Sequence, residues 1–543
     1  MVLPDVGKQQ KGDKEMKTWK RIVSVLLCTV LMTALLSGIG LAVQIVDSGE
    51  CGDRGDNLTW TLDSEGVLTV SGTGMMGSPS WSAYKDAITR AVLEPGVTSI
   101  GNNAFSGCTG LKEASLPEGL TGIGSGAFYG CSRLTDIGLP DSVTSIGDSA
   151  FMRCSSLKEI TVPAGVTRIG TQVFYGCSSL TGAALPENLE EIGSSAFSGC
   201  RRLADIRIPE HVTGIGSGAF SGCSSLTDVA LPDSVTTIGS SAFSWCSDLT
   251  GIRLSDGLTS IGDNAFNNCG ALTAVAIPAG VTSIGRDAFA YCESLTELSA
   301  AAANPQYCSQ DGVLFTKDAS VLLCCPAGRS GSYTIPDTVH TVGNGAFTAC
   351  CGLTEVRIPD SVTAIGENAF SSCSGLEEIT LPAGVTSISD WTFYSCQSLT
   401  GITLPEGLTA VGGFAFAECS SLESITIPAD VSSIGDEAFY ACYGLESILF
   451  AGTREAWNAV SIGSGNDILR SDKVRFSDAR IPGDINGDGK VNNRDLTRLA
   501  QHLAGKEVEY VEGSLDVNGD GKVNNRDLTR LAQHLAGKDV ELH

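Results

Sequence analysis

The sequence predicts a repeat solenoid, rich in short β-strands with brief helical turns, running for most of the chain and followed by a small all-α module. Three observations lead there. Phe recurs every 23 residues, at positions 105, 128, 151, 174, 197, 220, 243, 266 and 289 and again at 347, 370, 393, 416 and 439. Gly is abundant, 65 of 543 residues, while aromatics make up only 6%, a balance that suits tight turns and thin cross-sections better than one large globular core. Residues 486–506 reappear unchanged at 518–538, so the C-terminal stretch is a duplication with its own period.

At the N-terminus, Lys8, Lys11, Lys14, Lys17, Lys20 and Arg21 precede an apolar run over 22–43. This is the pattern of a secretory signal, with cleavage after Ala42 and Met16 as a candidate start. An uncleaved anchor is the other reading, because the run is just long enough to span a bilayer. Either way, segment 1–43 sends the rest of the chain out of the cytoplasm. The net charge of −26 is spread along the chain, without the basic footprint that phosphate binding needs, and this argues against a nucleic-acid partner.

Each 23-residue unit reads close to Val-Thr-Ser-Ile-Gly-x-x-Ala-Phe-x-x-Cys-x-x-Leu-x-x-Ile-x-Leu-Pro, as in residues 143–163. The Leu-x-x-Ile-x-Leu segment alternates as a strand and Pro ends it, since Pro cannot extend a sheet ladder. A second short strand is expected at Val-Thr-Ser-Ile, with Gly turning the chain and Ala-Phe opening a brief helical turn. Fourteen such coils, spaced like strands at about 4.8 Å, make a rod about 65–70 Å long. These columns resemble the BspA-like leucine-rich repeats of bacterial cell surfaces over residues 97–450. By the same resemblance, 44–96 looks like an opening hairpin cap and 451–480 like a closing cap, both needed because an open coil exposes apolar side chains and unpaired edges. From Phe289 to Phe347 the period slips, which predicts a divergent coil with an added hairpin near 293–345, either a lateral binding knob or a tolerated insertion.

Fourteen of the 20 Cys sit three residues after the repeat Phe. That regularity predicts an inward column of reduced thiols acting as small apolar residues. Cys308, Cys324, Cys325 and Cys351 fall outside it and are the better candidates for a bridge or a metal. Gly72-Thr-Gly74-Met-Met-Gly77 matches a dinucleotide fingerprint but lacks the βαβ context, and Arg54-Gly55-Asp56 reads as a chance tripeptide in a loop of Asp and Gly. Glu113, Asp136, Glu159, Asp205, Asp228, Glu297, Glu355 and Glu378 share the third strand position and form one exposed acidic column, a solvated face or a partner-binding stripe. No paired carboxylates in a cleft and no nucleophile–base constellation emerge, so no catalytic residue and no enzyme is expected.

The tail holds the sharpest chemistry. Oxygen ligands at loop positions one, three, five, nine and twelve, with Gly at six for the sharp turn, are what a hard cation such as Ca²⁺ requires. Asp484, Asn486, Asp488, Asn492 and Asp495 stand at those positions in one loop, and Asp516, Asn518, Asp520, Asn524 and Asp527 in the other. The carbonyls of Lys490 and Lys522 should add one oxygen each, so two Ca²⁺ ions are expected. No amphipathic helix precedes the first loop, and the twelfth residue is Asp, unlike an EF-hand. Leu496, Leu499 and Leu503, echoed by Leu528, Leu531 and Leu535, give each exiting helix an apolar stripe.

Loop plus helix, duplicated over 481–543, resembles a type I dockerin. The resemblance implies a cohesin partner on a scaffold protein or cell surface. It also implies that the pair before the last calcium ligand helps select cohesin, here Asn493-Arg494 and Asn525-Arg526 rather than the Ser-Thr of many dockerins. The expected function is a secreted, non-catalytic binding or adhesion protein of a cellulosome-like complex, its repeats binding a protein or surface ligand. The alternatives are an accessory subunit that binds glycan and, third, a hidden glycoside hydrolase. The fifth strand position holds Ser115, Thr161, Arg207, Arg253, Arg357, Thr380 and Thr403, without an aromatic platform. Tyr129, Tyr175, Tyr394 and Tyr440, with Trp245 and Tyr291, could instead line an edge.

Overall fold

The computed structural model describes residues 43–53, 57–77, 81–477, 482–486, 490–508, 510–511 and 514–542. The N-terminal signal or anchor, Arg54-Gly55-Asp56 and Asp488 lie outside them. Among the described residues, no helix is long and apolar enough to cross a membrane.

Each 23-residue unit is one coil, and every coil stacks on the next through two strand ladders and a turn ladder. Residues 143–163 illustrate it. Val143, Ile146, Ala150, Phe151, Cys154, Leu157, Ile160 and Val162 all point inward and are buried. The first ladder pairs Ser-Ile segments in parallel across coils, Ile123 with Ile146 and Ile169 with Ile192. It is shorter than expected, four residues at Val97–Ile100 but two at Ser145–Ile146. The second pairs segments such as Glu159–Thr161 with Gly182–Ala184.

The third ladder departs from the expected helical turn. Around Phe151 no helix forms. Ala150, Met152 and Cys154 donate to the carbonyl three residues back, while Ser149, Phe151 and Arg153 donate to the following coil, at Thr171, Val173 and Tyr175. Alternate N–H groups thus point along the solenoid axis, which requires left-handed backbone two residues before and two residues after each repeat Phe. Ser149 and Arg153 take it up at φ 58° and 60°. The price of such a conformation for a residue with a Cβ is about 1–2 kcal/mol, which the inter-coil hydrogen bonds offset.

The repeat Phe side chains stack nearly parallel, with centroids 5.2–5.6 Å apart from Phe105 through Phe289. The column resumes at Phe347. The Cys column lies beside it and is buried. Burial pushes the Cys177 and Cys223 thiols up to about 12. Twelve of the fourteen thiols donate to the carbonyl of a repeat Phe in the preceding coil, as Cys131 does to Phe105 at 3.1 Å. A weak donor facing the remaining lone pair of a carbonyl that already accepts one backbone N–H, as Phe105 does from Cys108, explains why Cys rather than Ala or Val recurs there.

Between Phe289 and Phe347 the chain forms a three-stranded excursion. Tyr307–Gln310 pairs antiparallel with Val313–Thr316, which pairs antiparallel with Val321–Cys324. That last strand then runs parallel to Thr341–Val342 and rejoins the first ladder. Buried Asn304 latches the excursion to the preceding coil: its amide donates to Pro278 and Val281 at 2.8 and 2.9 Å, and its Oδ1 accepts from Gln306 and Tyr307.

Both ends of the solenoid are closed by indoles. Ile45–Glu50, Leu58–Asp63 and Val67–Gly72 form an antiparallel meander whose last strand pairs in parallel with Arg90–Leu93. Trp81 extends the Phe stack, 5.6 Å from Phe105, and its Nε1–H donates to Ala104. At the far end, Val474–Phe476 pairs with Ser447–Phe450, and Trp457 packs on Phe450 at 5.0 Å. In the terminal module the helices Asn493–Leu503 and Asn525–Leu535 pack around Ile485, Leu499, Leu515, Val517 and Leu531.

Candidate metal loops and partner surfaces

Each terminal helix starts from its loop by a reciprocal cap. Asn492 accepts at its Oδ1 from the Arg494 N–H at 2.8 Å, and Asp495 reaches back to accept from the Asn492 N–H. The second helix repeats this with Asn524, Arg526 and Asp527. The last acid of each loop is fully buried, and its second oxygen binds the start of its own loop. Asp495 Oδ1 accepts from Ile485 and Asn486 at 2.9 and 3.0 Å, and Asp527 Oδ1 from Asn518 at 3.1 Å. Asp495 and Asp527 thus tie loop entry to helix start.

The second loop is described in full. Asp516 accepts through Oδ1 from Gly519 and Asp520 and through Oδ2 from Gly521; Asn518 accepts from Asp520, and Asp520 from Lys522. These carboxyl and amide oxygens are therefore turned into the loop. Gly521, at loop position six, has φ 78°, the left-handed turn that position needs. Hard oxygen donors on so tight a turn fit a cation of the Ca²⁺ class. Among the described residues, no three His, Cys, Asp or Glu side chains converge on one point by themselves. Asn518, Asn524 and the Lys522 carbonyl are the further oxygens that the loop offers beside its acids. In the first loop Asp484 is buried, and Asp488 is outside the described residues.

Asn493, Arg494, Asn525 and Arg526 form the first two residues of each helix and are exposed. Arg526 lies 3.8 Å from Asp520. The Leu stripes of the two helices meet in the module core with Val491 and Leu542.

On the repeats, the acidic column lies on the outer face of the second ladder, and Glu113 is paired with Arg90 of the preceding coil at 2.8 Å. The aromatic edge is more extensive than the sequence indicated. Trp391 stacks on Phe414 at 4.0 Å and meets Tyr394 edge-on at 4.9 Å. Tyr394 donates to Glu418 at 2.9 Å, and that hydrogen bond holds its phenol above the ordinary value. Tyr291 hydrogen-bonds Ser372 at 3.3 Å, reaching past the coil of Phe347, and Tyr440 and Tyr443 are 50% and 83% exposed. Trp391 and Phe414 were missed because they stand two residues before the repeat Phe, a column of small or polar residues elsewhere. Tyr129, Tyr175 and Trp245 belong to other coils and do not join this cluster. Trp391, Phe414, Tyr291 and Trp245 all hold left-handed backbone, φ 53–63°, an unusual setting for a bulky side chain.

Comparison with known proteins accounts for both parts of the chain. Residues 81–201, 167–296 and 329–450 match the BspA type leucine rich repeat region, and residues 482–536 match the dockerin type I domain. Among solved structures, the chain is similar to a leucine rich cell surface protein from Faecalibacterium prausnitzii, with 29% identity, coverage of 78% of this chain and 99% of that one, and a TM-score of 0.48. It is also similar to a leucine-rich repeat protein from Bacteroides ovatus, with 27% identity, coverage of 78% and 98%, and a TM-score of 0.43. No curated protein matches the chain. The chain belongs to the BspA-type leucine-rich repeat family and carries a type I dockerin domain over residues 482–536.

Proposed function

We propose that the chain is an exported, non-catalytic binding protein that attaches to a cohesin-bearing scaffold through its dockerin and presents its repeats to a protein or surface ligand. The observation that supports this most is the duplicated loop–helix unit, whose two copies share one capping geometry and expose the same Asn-Arg pair. One Ca²⁺ per loop would be held by Asp484, Asn486, Asp488, Asn492, Asp495 and the Lys490 carbonyl, and by Asp516, Asn518, Asp520, Asn524, Asp527 and the Lys522 carbonyl. The ion supplies the positive charge that lets several acids share one turn. The chain's own part is to present Asn493-Arg494 and Asn525-Arg526 at the helix starts for cohesin. Export rests on the basic and apolar N-terminal segment.

The test is calorimetric titration with Ca²⁺ and then with candidate cohesins. Two ions per chain and calcium-dependent cohesin binding are expected. Equal cohesin binding in excess chelator would defeat the reading.

A second reading, that the repeats bind glycan directly, draws on the aromatic edge. Tyr394, Tyr440 and Tyr443 offer rings, and Glu418 and Ser372 offer fixed hydrogen-bonding groups beside them. Affinity electrophoresis through gels containing neutral polysaccharides separates it from a protein ligand: retardation favours glycan, unchanged mobility in every gel excludes it.

A further inference from the structure

Past Cys108, whose coil has no repeat Phe before it, the Cys column is uniform except at the excursion. Elsewhere a thiol finds the carbonyl of a repeat Phe in the preceding coil at 3.0–3.2 Å. The coil between Phe289 and Phe347 has no repeat Phe, so Cys350 has no such acceptor. Its sulfur instead lies 3.6 Å from the Cys325 carbonyl and 3.8 Å from that of Pro326. The Cys325 sulfur lies 3.9 Å from the same Pro326 carbonyl, so the two thiols converge on one acceptor. The backbone N–H of Cys325 donates to Ala346 at 2.7 Å, which fixes the two coils beside one another at this point. Both residues are buried, at 2% and 0% exposure. Here the Phe stack is broken, and Tyr333, tilted against Phe347 at 5.9 Å, is the aromatic neighbour on that side.

We propose that Cys325 and Cys350 are oxidised to a disulfide in the exported protein, a covalent splice across the coil that lacks a stacking Phe. The oxidant is a disulfide-bearing thiol oxidoreductase or small-molecule disulfide of the extracytoplasmic space. One Cys thiolate attacks the oxidant disulfide, forming a mixed disulfide and releasing one thiol. The second Cys thiolate then attacks the protein sulfur of the mixed disulfide, closing the Cys325–Cys350 bond and releasing the second thiol. The two protons lost by the cysteines end on those two thiols, and the two electrons reduce the oxidant. Because the neighbouring Cys325 side chain and burial disfavour the Cys350 thiolate in the closed coil, exchange takes place while the coils are still assembling. Such a bond closes a loop of intermediate length and restores cohesion where ring stacking is missing. Cys396 and Cys419 are neighbours in the column, but each donates to a Phe carbonyl at 3.1 Å, which directs its sulfur away from pairing.

The experiment is to refold the full chain in a glutathione redox buffer, alkylate it in denaturant and map the peptides by mass spectrometry without reduction. A cross-linked peptide pair containing Cys325 and Cys350 is expected, with the repeat-column cysteines alkylated. Alkylation of Cys325 and Cys350 to the same extent as the column would overturn the proposal, as would linkage of either to Cys292, Cys324 or Cys351. As a second readout that needs no variant, reducing the oxidised chain should lower the solenoid melting temperature by about 5 °C. The Cys350→Ala chain should show no such reductant sensitivity; an equal shift there would place the stabilising bond elsewhere and reject the pair.

Discussion

The repeats and the dockerin are both built by duplicating a short unit, yet they reach order by different means. In the repeats, each coil hands its Phe, Cys and Leu to the next, so the buried core grows with every copy and the units need nothing but each other. In the dockerin, two nearly identical units share a core of five buried side chains, and in the second unit the acids and amides of the loop are turned inward. Stacking by translation multiplies apolar contact. Pairing just two units does not, and the acids they bring together leave a charge to be neutralised. Repetition thus stabilises only where copies add to one continuous interior.

That contrast can be broken or sharpened by experiment. The largest effect should come from chelation: excess EGTA is expected to abolish the helical signal of the dockerin and weaken cohesin binding about a hundredfold or more, while the β-signal of the repeats persists. Circular dichroism of the full chain with and without chelator checks it, and concerted loss of both signals would erase the distinction. Next comes Phe197→Ala, which removes one ring from the middle of the stack. It should cost about 3–5 kcal/mol and split thermal unfolding into separate steps on either side of the gap, read by calorimetry. A smaller effect is expected at the dockerin face. Changing Asn493 and Arg494 to Ala should weaken cohesin binding less than about threefold, because the second copy remains; changing Asn525 and Arg526 as well should cost at least about tenfold. The smallest should be Trp391→Gly. Relief of left-handed strain offsets the lost stacking on Phe414, so stability should move by less than about 1 kcal/mol in a denaturant titration.

The columns were readable in the sequence because a side chain that must face the core in every coil recurs at a fixed interval. Phe151, Cys154 and Leu157 announce themselves in this way, as do the paired Leu stripes of the two terminal helices. The turn ladder was hidden. Nothing in Ser149 or Arg153 as residue types favours left-handed backbone; the conformation is imposed by hydrogen bonds to a coil 22 residues away. The carbonyl acceptor of each thiol was equally invisible, since Cys131 meets Phe105 only after the coils have stacked. The excursion was visible as a slip in period, whereas its latch, Asn304, needed three-dimensional partners to be recognised. In the dockerin the loop positions named the oxygen donors, but the burial of Asp495 and Asp527 and their hold on the loop entry came from the fold.

The direction of the hydrogen bonds between coils has an electrostatic consequence. In the turn ladder the N–H groups of Phe105 and Phe128 point toward the following coil, whereas in the first strand ladder those of Gly124 and Gly147 point back to Ile100 and Ile123 of the preceding one. Two rows of peptide dipoles therefore run side by side in opposite senses. An α-helix sums its dipoles into a field that grows at its ends. Here the rows oppose each other coil by coil, so the rod can lengthen by whole coils without building up polarity along its axis.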